Sequence, residues 1–267
     1  MATKSLSLTS LLAKKQNGEK ITCLTAYDAS FSHVLDEAGI DVILVGDSLG
    51  MVIQGQESTL PVTIDEMVYH SRCVARGKQR TFLVADLPFM SYATPDQAAI
   101  NAARLMQEGY AQMVKLEGGH KQIETVRHLV DLGIPVCGHL GLIPQSVNQL
   151  GGYRVQGRDG ESAKRIIDEA KLLEEAGASL LVLECVPTAL ADEITAQLTI
   201  PVIGIGAGAG CDGQVLVLYD MLDISFGKRP KFSKNFMAET GDVKKAVEAY
   251  DIAVKGGSFP AKEHSFE

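Results

Sequence analysis

The chain has 267 residues, of which 46% are hydrophobic, enough for one large core and close to the usual length of an alternating strand and helix barrel. Its formal charge of -8 comes from acids spread along the chain, with no block of Lys or Arg to track nucleic acid. No stretch approaches the roughly 18 apolar residues of a membrane span, and the opening MATKSLSLTSLLAKKQNGEK has neither a sustained apolar core nor a cleavage signal, which argues against membrane and secretory roles. Cys23, Cys73, Cys137, Cys185 and Cys211 are odd in number, lack C-x-x-C spacing and fall mostly in or beside apolar runs. They read as reduced thiols of a cytoplasmic protein.

Ser7 to Lys15 reads as an amphipathic helix placed to cover the bottom of a barrel. Eight short apolar runs follow: Ile21 to Tyr27, Asp41 to Asp47, Phe82 to Asp86, Met113 to Glu117, Pro135 to His139, Ser179 to Glu184, Pro201 to Ile205 and Gln214 to Leu218. Most are rich in Val, Ile and Leu with Gly, Pro or Asp nearby, as expected of strands buried on both faces. Between them, Asp28 to Ala38 reads as a helix closed by Gly39, and Thr63-Ile-Asp-Glu66 has capping-box spacing. Thr94-Pro95 opens another helix, and Asp159 to Gly177 carries Ala163, Ile166, Ile167, Ala170 and Leu173 at helical spacing. Gly39, Gly109, Gly133 and Gly177 stand before strands at corresponding places. The pattern predicts a single α/β domain over 1–267, a (β/α)8 TIM barrel whose catalytic groups gather at the strand C-termini. Two connections on that face are long, Ser48 to Pro61 and Leu140 to Arg158, and both suit loops that shape or cover a site.

Four of the runs end in carboxylates, at Asp47, Asp86, Glu117 and Glu184. Asp47, Asp86 and Glu117 lie on consecutive strands about 5 Å apart, so their side chains can lean toward one point, where mutual repulsion calls for a counter-charge. An oxygen-only set without a His or Cys cluster suits Mg2+. Taken singly, each acid equally suits a helix cap or an ion pair. Lys115 shares the face of Glu117, one layer deeper, and should neutralise a carboxylate or bind an anionic substrate. Glu184, preceded by SLLVL and with no cationic neighbour in sequence, is expected to have its pKa raised by desolvation, which suits a general base, and it equally suits a helix cap after the strand. His139 reaches the mouth from the fifth strand, as a substrate contact or as a satisfied structural group. Gly204 to Gly208 resembles a phosphate-binding loop, though glycines there equally make room for a flat ligand or a tight turn. A cation, a lysine and a facing base together suit proton abstraction next to the carbonyl of a 2-oxo acid.

The loops carry a more specific resemblance. LTAYDAS, VGDSLGMVIQG, LPVTIDEM, ADLPFMSY, VKLEGG, GHLGLIPQSVNQLGGYRVQGR, LLVLECVP, IPVIGIGAG and DGQVLVLYDML resemble, in order and spacing, the ketopantoate hydroxymethyltransferase family, from about Leu8 to Phe266. The resemblance implies a homodecameric barrel that transfers a hydroxymethyl group from 5,10-methylenetetrahydrofolate to 3-methyl-2-oxobutanoate, in the pathway to pantothenate and coenzyme A. It puts Mg2+ on Asp47, Asp86 and Glu117, the 2-oxo acid on Asp47, Ser48, Asp86 and Lys115, and the proton acceptor on Glu184. It also implies a Gly where this chain has Asp223, which leaves the geometry of that loop open. Two alternatives remain: a Mg2+-dependent relative of phosphoenolpyruvate mutase or isocitrate lyase, whose KKCGH loop is absent here, and a non-catalytic metabolite-binding barrel.

Overall fold

The computed structural model describes residues 5–267. Eight parallel strands close into a barrel in sequence order: β1 (Ile21–Thr25), β2 (Val42–Val45), β3 (Phe82–Asp86), β4 (Met113–Glu117), β5 (Val136–Gly141), β6 (Leu180–Glu184), β7 (Val202–Ile205) and β8 (Gly213–Leu216), with β8 pairing back onto β1. Every strand boundary falls within two residues of its predicted run. The runs are legible because almost all strand residues are buried, inward ones filling the barrel and outward ones packing under helices.

The helices, in chain order, are α1 (Leu8–Gln16), α2 (Ala29–Glu37), α3 (Leu49–Val52), α4 (Ile64–Gly77), α5 (Pro95–Gln107), α6 (Ile123–Asp131), α7 (Val147–Leu150), α8 (Gly160–Glu175), α9 (Thr188–Gln197), α10 (Leu218–Met221), α11 (Met237–Thr240) and α12 (Val243–Lys255). Their starts follow the predicted caps. Asp28, Thr63, Thr94 and Asp159 each accept a hydrogen bond from a backbone N–H of the first turn, which satisfies a donor that the helix cannot. Helix α1 lies across the N-terminal end of the barrel, where Lys15 Nζ meets Asp212 Oδ2 at 2.8 Å and Leu6 N donates to Arg80 O at 2.7 Å. None of the described helices is long and apolar enough to cross a membrane. All five cysteines are free, four of them buried.

One turn departs from the glycine pattern. Gly39, Gly133 and Gly177 take positive φ, but after α5 it is Tyr110 that does so, at φ 59°. Gly109 is needed there for closeness instead, since a Cβ on it would come within 2.6 Å of Leu105 O. Asp223, after β8, also sits in the left-handed region, at φ 59°. Asp tolerates that conformation better than most residues, and here both carboxylate oxygens are used: Arg229 Nη1 donates to Oδ1 at 2.5 Å and Asn235 Nδ2 to Oδ2 at 2.9 Å.

The two long connections both fold over the C-terminal face. The first contains α3, and the second contains a 3-10 turn at Pro144–Ser146 followed by α7. Tyr153 Oη reaches Met51 Sδ across them at 3.6 Å.

Candidate active site

At the C-terminal end of the barrel lies a cavity of about 630 Å³ lined by Asp47, Ser48, Asp86, Lys115, Glu117, His139 and Glu184. Every site residue proposed from the sequence therefore meets in one space. Asp86 and Glu117 are the last residues of β3 and β4, and Asp47 stands two positions past β2. Asp47 N donates to Asp86 Oδ2 at 3.1 Å, which fixes these two acids side by side. Ser48 Oγ and Tyr27 Oη are 2.9 Å apart.

Lys115 Nζ lies 2.8 Å from Asp86 Oδ1, with both side chains almost wholly buried. The oxygen is close enough for ion pairing but lies outside hydrogen-bond alignment. Burial on its own would lower the Lys115 pKa, and the carboxylates of Asp86, Glu117 and Asp47 outweigh it and push the pKa up. The lysine is thus a fixed cation. Burial, reinforced by the charges of Asp86 and Glu117, drives Asp47 well above the usual carboxylate range, and burial also raises Asp86 against the pull of Lys115.

His139 sits between the acids on either side of it. Its Nδ1 is 3.4 Å from Glu117 Oε1 and its Nε2 is 3.2 Å from Glu184 Oε2. Burial and the nearby Lys115, at 3.3 Å, both oppose protonation, but contacts to Glu117 and Glu184 prevail and raise its pKa to about 9. Glu184 consequently differs from the sequence expectation in one respect. It has a cationic neighbour, supplied by the adjacent strand β5 through the pairing of Gly141 with Glu184, which no neighbour along the chain could announce.

Two residues that sequence reasoning missed hold the acids in place. Gln145, on the 3-10 turn after β5, donates Nε2 to Asp47 Oδ2 at 2.8 Å and to Leu87 O at 3.0 Å, and its backbone N–H donates to Glu117 Oε2 at 2.9 Å. Tyr92 Oη in turn donates to Gln145 Oε1. The run LIPQSV carries no periodicity that marks its glutamine, so only the folded loop reveals it. The glycine run at the end of β7 is explained by packing. A Cβ on Gly206 would come within 3.0 Å of the Phe266 ring, and one on Gly208 within 2.5 Å of Thr188 Cγ2. Both glycines also take positive φ, at 60° and 87°, so turn geometry and packing each call for glycine there.

The donor set can be tested against Mg2+. Among the described residues no three His, Cys, Asp or Glu side chains close around a single point as a ready cage, because Glu117 is drawn toward Gln145 and His139. Mg2+ does not need such a cage, since it commonly keeps several waters and takes one or two carboxylates plus substrate oxygens. Asp47 and Asp86 fit that demand. With all four carboxylates ionised, Lys115 and protonated His139 leave two negative charges, the complement of a divalent cation. Without one, the burden falls on Asp47 as a raised pKa.

Comparisons with known proteins agree with this architecture. A protein from Shewanella loihica named 3-methyl-2-oxobutanoate hydroxymethyltransferase is 62% identical over 261 residues, covering 98% of each chain. One of the same name from Nitrosococcus oceani is 63% identical over 98% of this chain and 99% of its own. Among solved structures, the barrel resembles a 2,3-dimethylmalate lyase with a TM-score of 0.58 at 18% identity, covering 78% of this chain and 80% of the other. It also resembles a phosphoenolpyruvate phosphomutase from Streptomyces platensis with a TM-score of 0.62 at 12% identity, covering 82% and 83%. At such identities those structures show the fold alone, whereas the relatives near 62% match this chain over nearly its whole length. The model of the ketopantoate hydroxymethyltransferase family matches residues 5–262, and the chain belongs to that family of enzymes.

Proposed function

We propose that the protein transfers the one-carbon unit of 5,10-methylenetetrahydrofolate to 3-methyl-2-oxobutanoate with the help of Mg2+, using Glu184 as the base. The observation that carries this reading is the division of the mouth into two sides. Asp47, Asp86 and Glu117 stand on β2 to β4, and Glu184 stands on β6 with His139 between them. Asp47 and Asp86 would hold the metal, with Glu117 beside them; bound there, Mg2+ supplies positive charge that withdraws electrons from the keto group and acidifies the neighbouring C–H.

The protein's own groups perform the rest. Lys115 and the Ser48 hydroxyl orient the 2-oxo acid through its anionic oxygens. Glu184 accepts the proton from C3, and His139, close to Glu184 and positively charged at neutral pH, holds that carboxylate in its reactive orientation. The carbon left electron-rich bonds to the one-carbon unit, both C–N bonds of that unit to the folate break, and water supplies the hydroxyl oxygen. Tetrahydrofolate and ketopantoate result, and Glu184 returns its proton. The reading includes assembly as a homodecamer, which sedimentation of the purified protein tests.

NMR of the protein with 3-methyl-2-oxobutanoate, Mg2+ and 5,10-methylenetetrahydrofolate, with and without EDTA, tests the reaction. Ketopantoate should form only in the sample without chelator. Deuterium entering C3 in D2O without ketopantoate formation would mean that the electrophile is wrong, and no exchange in either sample would overturn the assignment of the base.

A further inference from the structure

Around the ring of strands, the acids proposed for metal binding come from β2, β3 and β4, His139 from β5 and the base from β6. At the end of β7 the glycine run is packed by Phe266 and Thr188. That leaves β8 and its neighbour β1, on the side of the ring across from β4, for a second reactant to approach without displacing the acids. The chain just after β8 is not featureless. Asp220, in α10, lines the same cavity and is only 9% exposed. Ser225 Oγ donates to its Oδ1 at 2.5 Å, and among the described residues no donor reaches its Oδ2. Burial raises its pKa, with Ser225 and Arg229 opposing. This carboxylate takes no part in the chemistry described above, yet it is buried and turned toward the cavity.

Two neighbours on the same loop complete the pattern. Phe226 also lines the cavity and is 80% exposed, which leaves a large apolar side chain open beside the site. Lys228 lines the cavity as well, and among the described residues it forms no ion pair. The loop that carries them is fastened at its base by the bonds of Arg229 and Asn235 to Asp223. A buried acceptor, an open aromatic face and a free cation therefore occur on one short tethered segment.

We infer that the loop after β8 is the seat of the pterin one-carbon carrier, with Asp220 accepting from the paired N–H groups of its 2-amino-4-oxo ring, Phe226 stacking on that ring and Lys228 meeting the carboxylates of its glutamyl tail. The chemistry matches part by part. The pyrimidine edge of a reduced pterin offers adjacent donors, from its ring N–H and its amino group, and a carboxylate can accept both at once. Its flat rings suit an exposed phenyl face, and its tail is anionic. This assignment rests on the proposed reading that the donor is a folate, and it adds where the donor binds and which groups select it.

The experiment compares Asp220→Asn and Phe226→Ala with the unaltered protein in three assays. These are the KM for 5,10-methylenetetrahydrofolate, the KM for the 2-oxo acid, and deuterium exchange at C3 of the oxo acid in D2O with Mg2+ and no folate. Each substitution should raise the folate KM about tenfold or more for Asp220→Asn and about threefold or more for Phe226→Ala. The KM for the oxo acid and the exchange rate should stay within about twofold of the unaltered protein. An unchanged folate KM in Phe226→Ala and in a folded Asp220→Asn overturns the assignment, as does a fall in exchange that parallels the loss of turnover. Phe226→Ala keeps the test decisive if Asp220→Asn does not fold, because so exposed a ring contributes little to the core. If the unaltered protein exchanges deuterium but makes no product from the folate, the choice of donor has failed, and that result is distinct from a normal enzyme whose folate KM ignores both substitutions.

Discussion

The two ends of the barrel both bury acids and treat them in opposite ways. At the N-terminal end Asp41 is surrounded by cations, with Lys14 Nζ at 3.4 Å, Arg80 Nη1 at 3.7 Å and Lys255 Nζ at 3.9 Å, and Thr22 N donates to it at 3.2 Å. Asp212 there is held by Lys15 Nζ and by Val202 N, each at 2.8 Å. At the C-terminal end, among the described residues, Asp86, Glu117 and Glu184 form ion pairs only with Lys115 and His139, and Asp47 forms none. The acids of the first end are saturated, and their role is to tie α1 and the loops to the strand starts. Those of the second are left short of positive charge, which gives that end its capacity to bind a cation and handle a proton.

The largest expected effect comes from altering the active end without altering its shape. Glu184→Gln should leave the protein folded, at the cost of part of the His139 contribution to stability, and lose turnover by about 10²–10⁴-fold. A variant with normal ketopantoate production would remove Glu184 from the role of base.

Stability distinguishes the ends next. Lys115→Met leaves Asp86 facing Asp47 and Glu117 without the ammonium, and it should cost about 3–5 kcal/mol in the metal-free protein, read by urea unfolding, with Mg2+ restoring part of the loss. Lys14→Met at the other end should cost less than about 1 kcal/mol, because Arg80 and Lys255 still serve Asp41. Equal losses would erase the proposed contrast.

The last effect is a dependence on pH. His139 in the folded protein has a pKa raised from 6.5 to about 9, so its stabilising contribution is full below about pH 6.5 and fades as the pH rises through 9. Asp47 and Asp86 act in the same direction, starting from a lower pH. Their raised values favour the folded state while they are protonated, and that advantage disappears as the pH climbs above their usual 3.8 and through the raised folded value. Without metal, the melting temperature should therefore fall as the pH goes from about 6.5 to 9, by up to about 3 kcal/mol of stability for His139. Saturating Mg2+ should flatten the fall, and a metal-free protein that gains stability over the same range would contradict the account.

Much of this was visible in the residues themselves. Strands buried on both faces are written as runs of Val, Ile and Leu, so β3 and β4 coincide with their predicted bounds, and the carboxylate at each end locates the mouth. Caps at Thr63 and Thr94 were equally plain, since they depend on neighbours three residues away. Gln145 was hidden because its bonds reach Asp47 and Glu117 across 98 and 28 positions of chain. The proximity of His139 to Glu184 was hidden likewise, as it depends on strand register. Tyr110 shows a further limit: a glycine beside a turn need not be the residue that makes the turn.

The tail also bears on how the protein can be handled. Phe266 lines the cavity, its carbonyl accepts from Thr188 N at 2.9 Å, and Lys231 Nζ donates to Ser265 O at 2.7 Å. A purification tag or surface tether attached behind Glu267 would leave beside the entrance and compete with the reactants for space. One attached ahead of α1 would leave from the opposite face, so immobilised enzyme or biosensor formats should be anchored at that end.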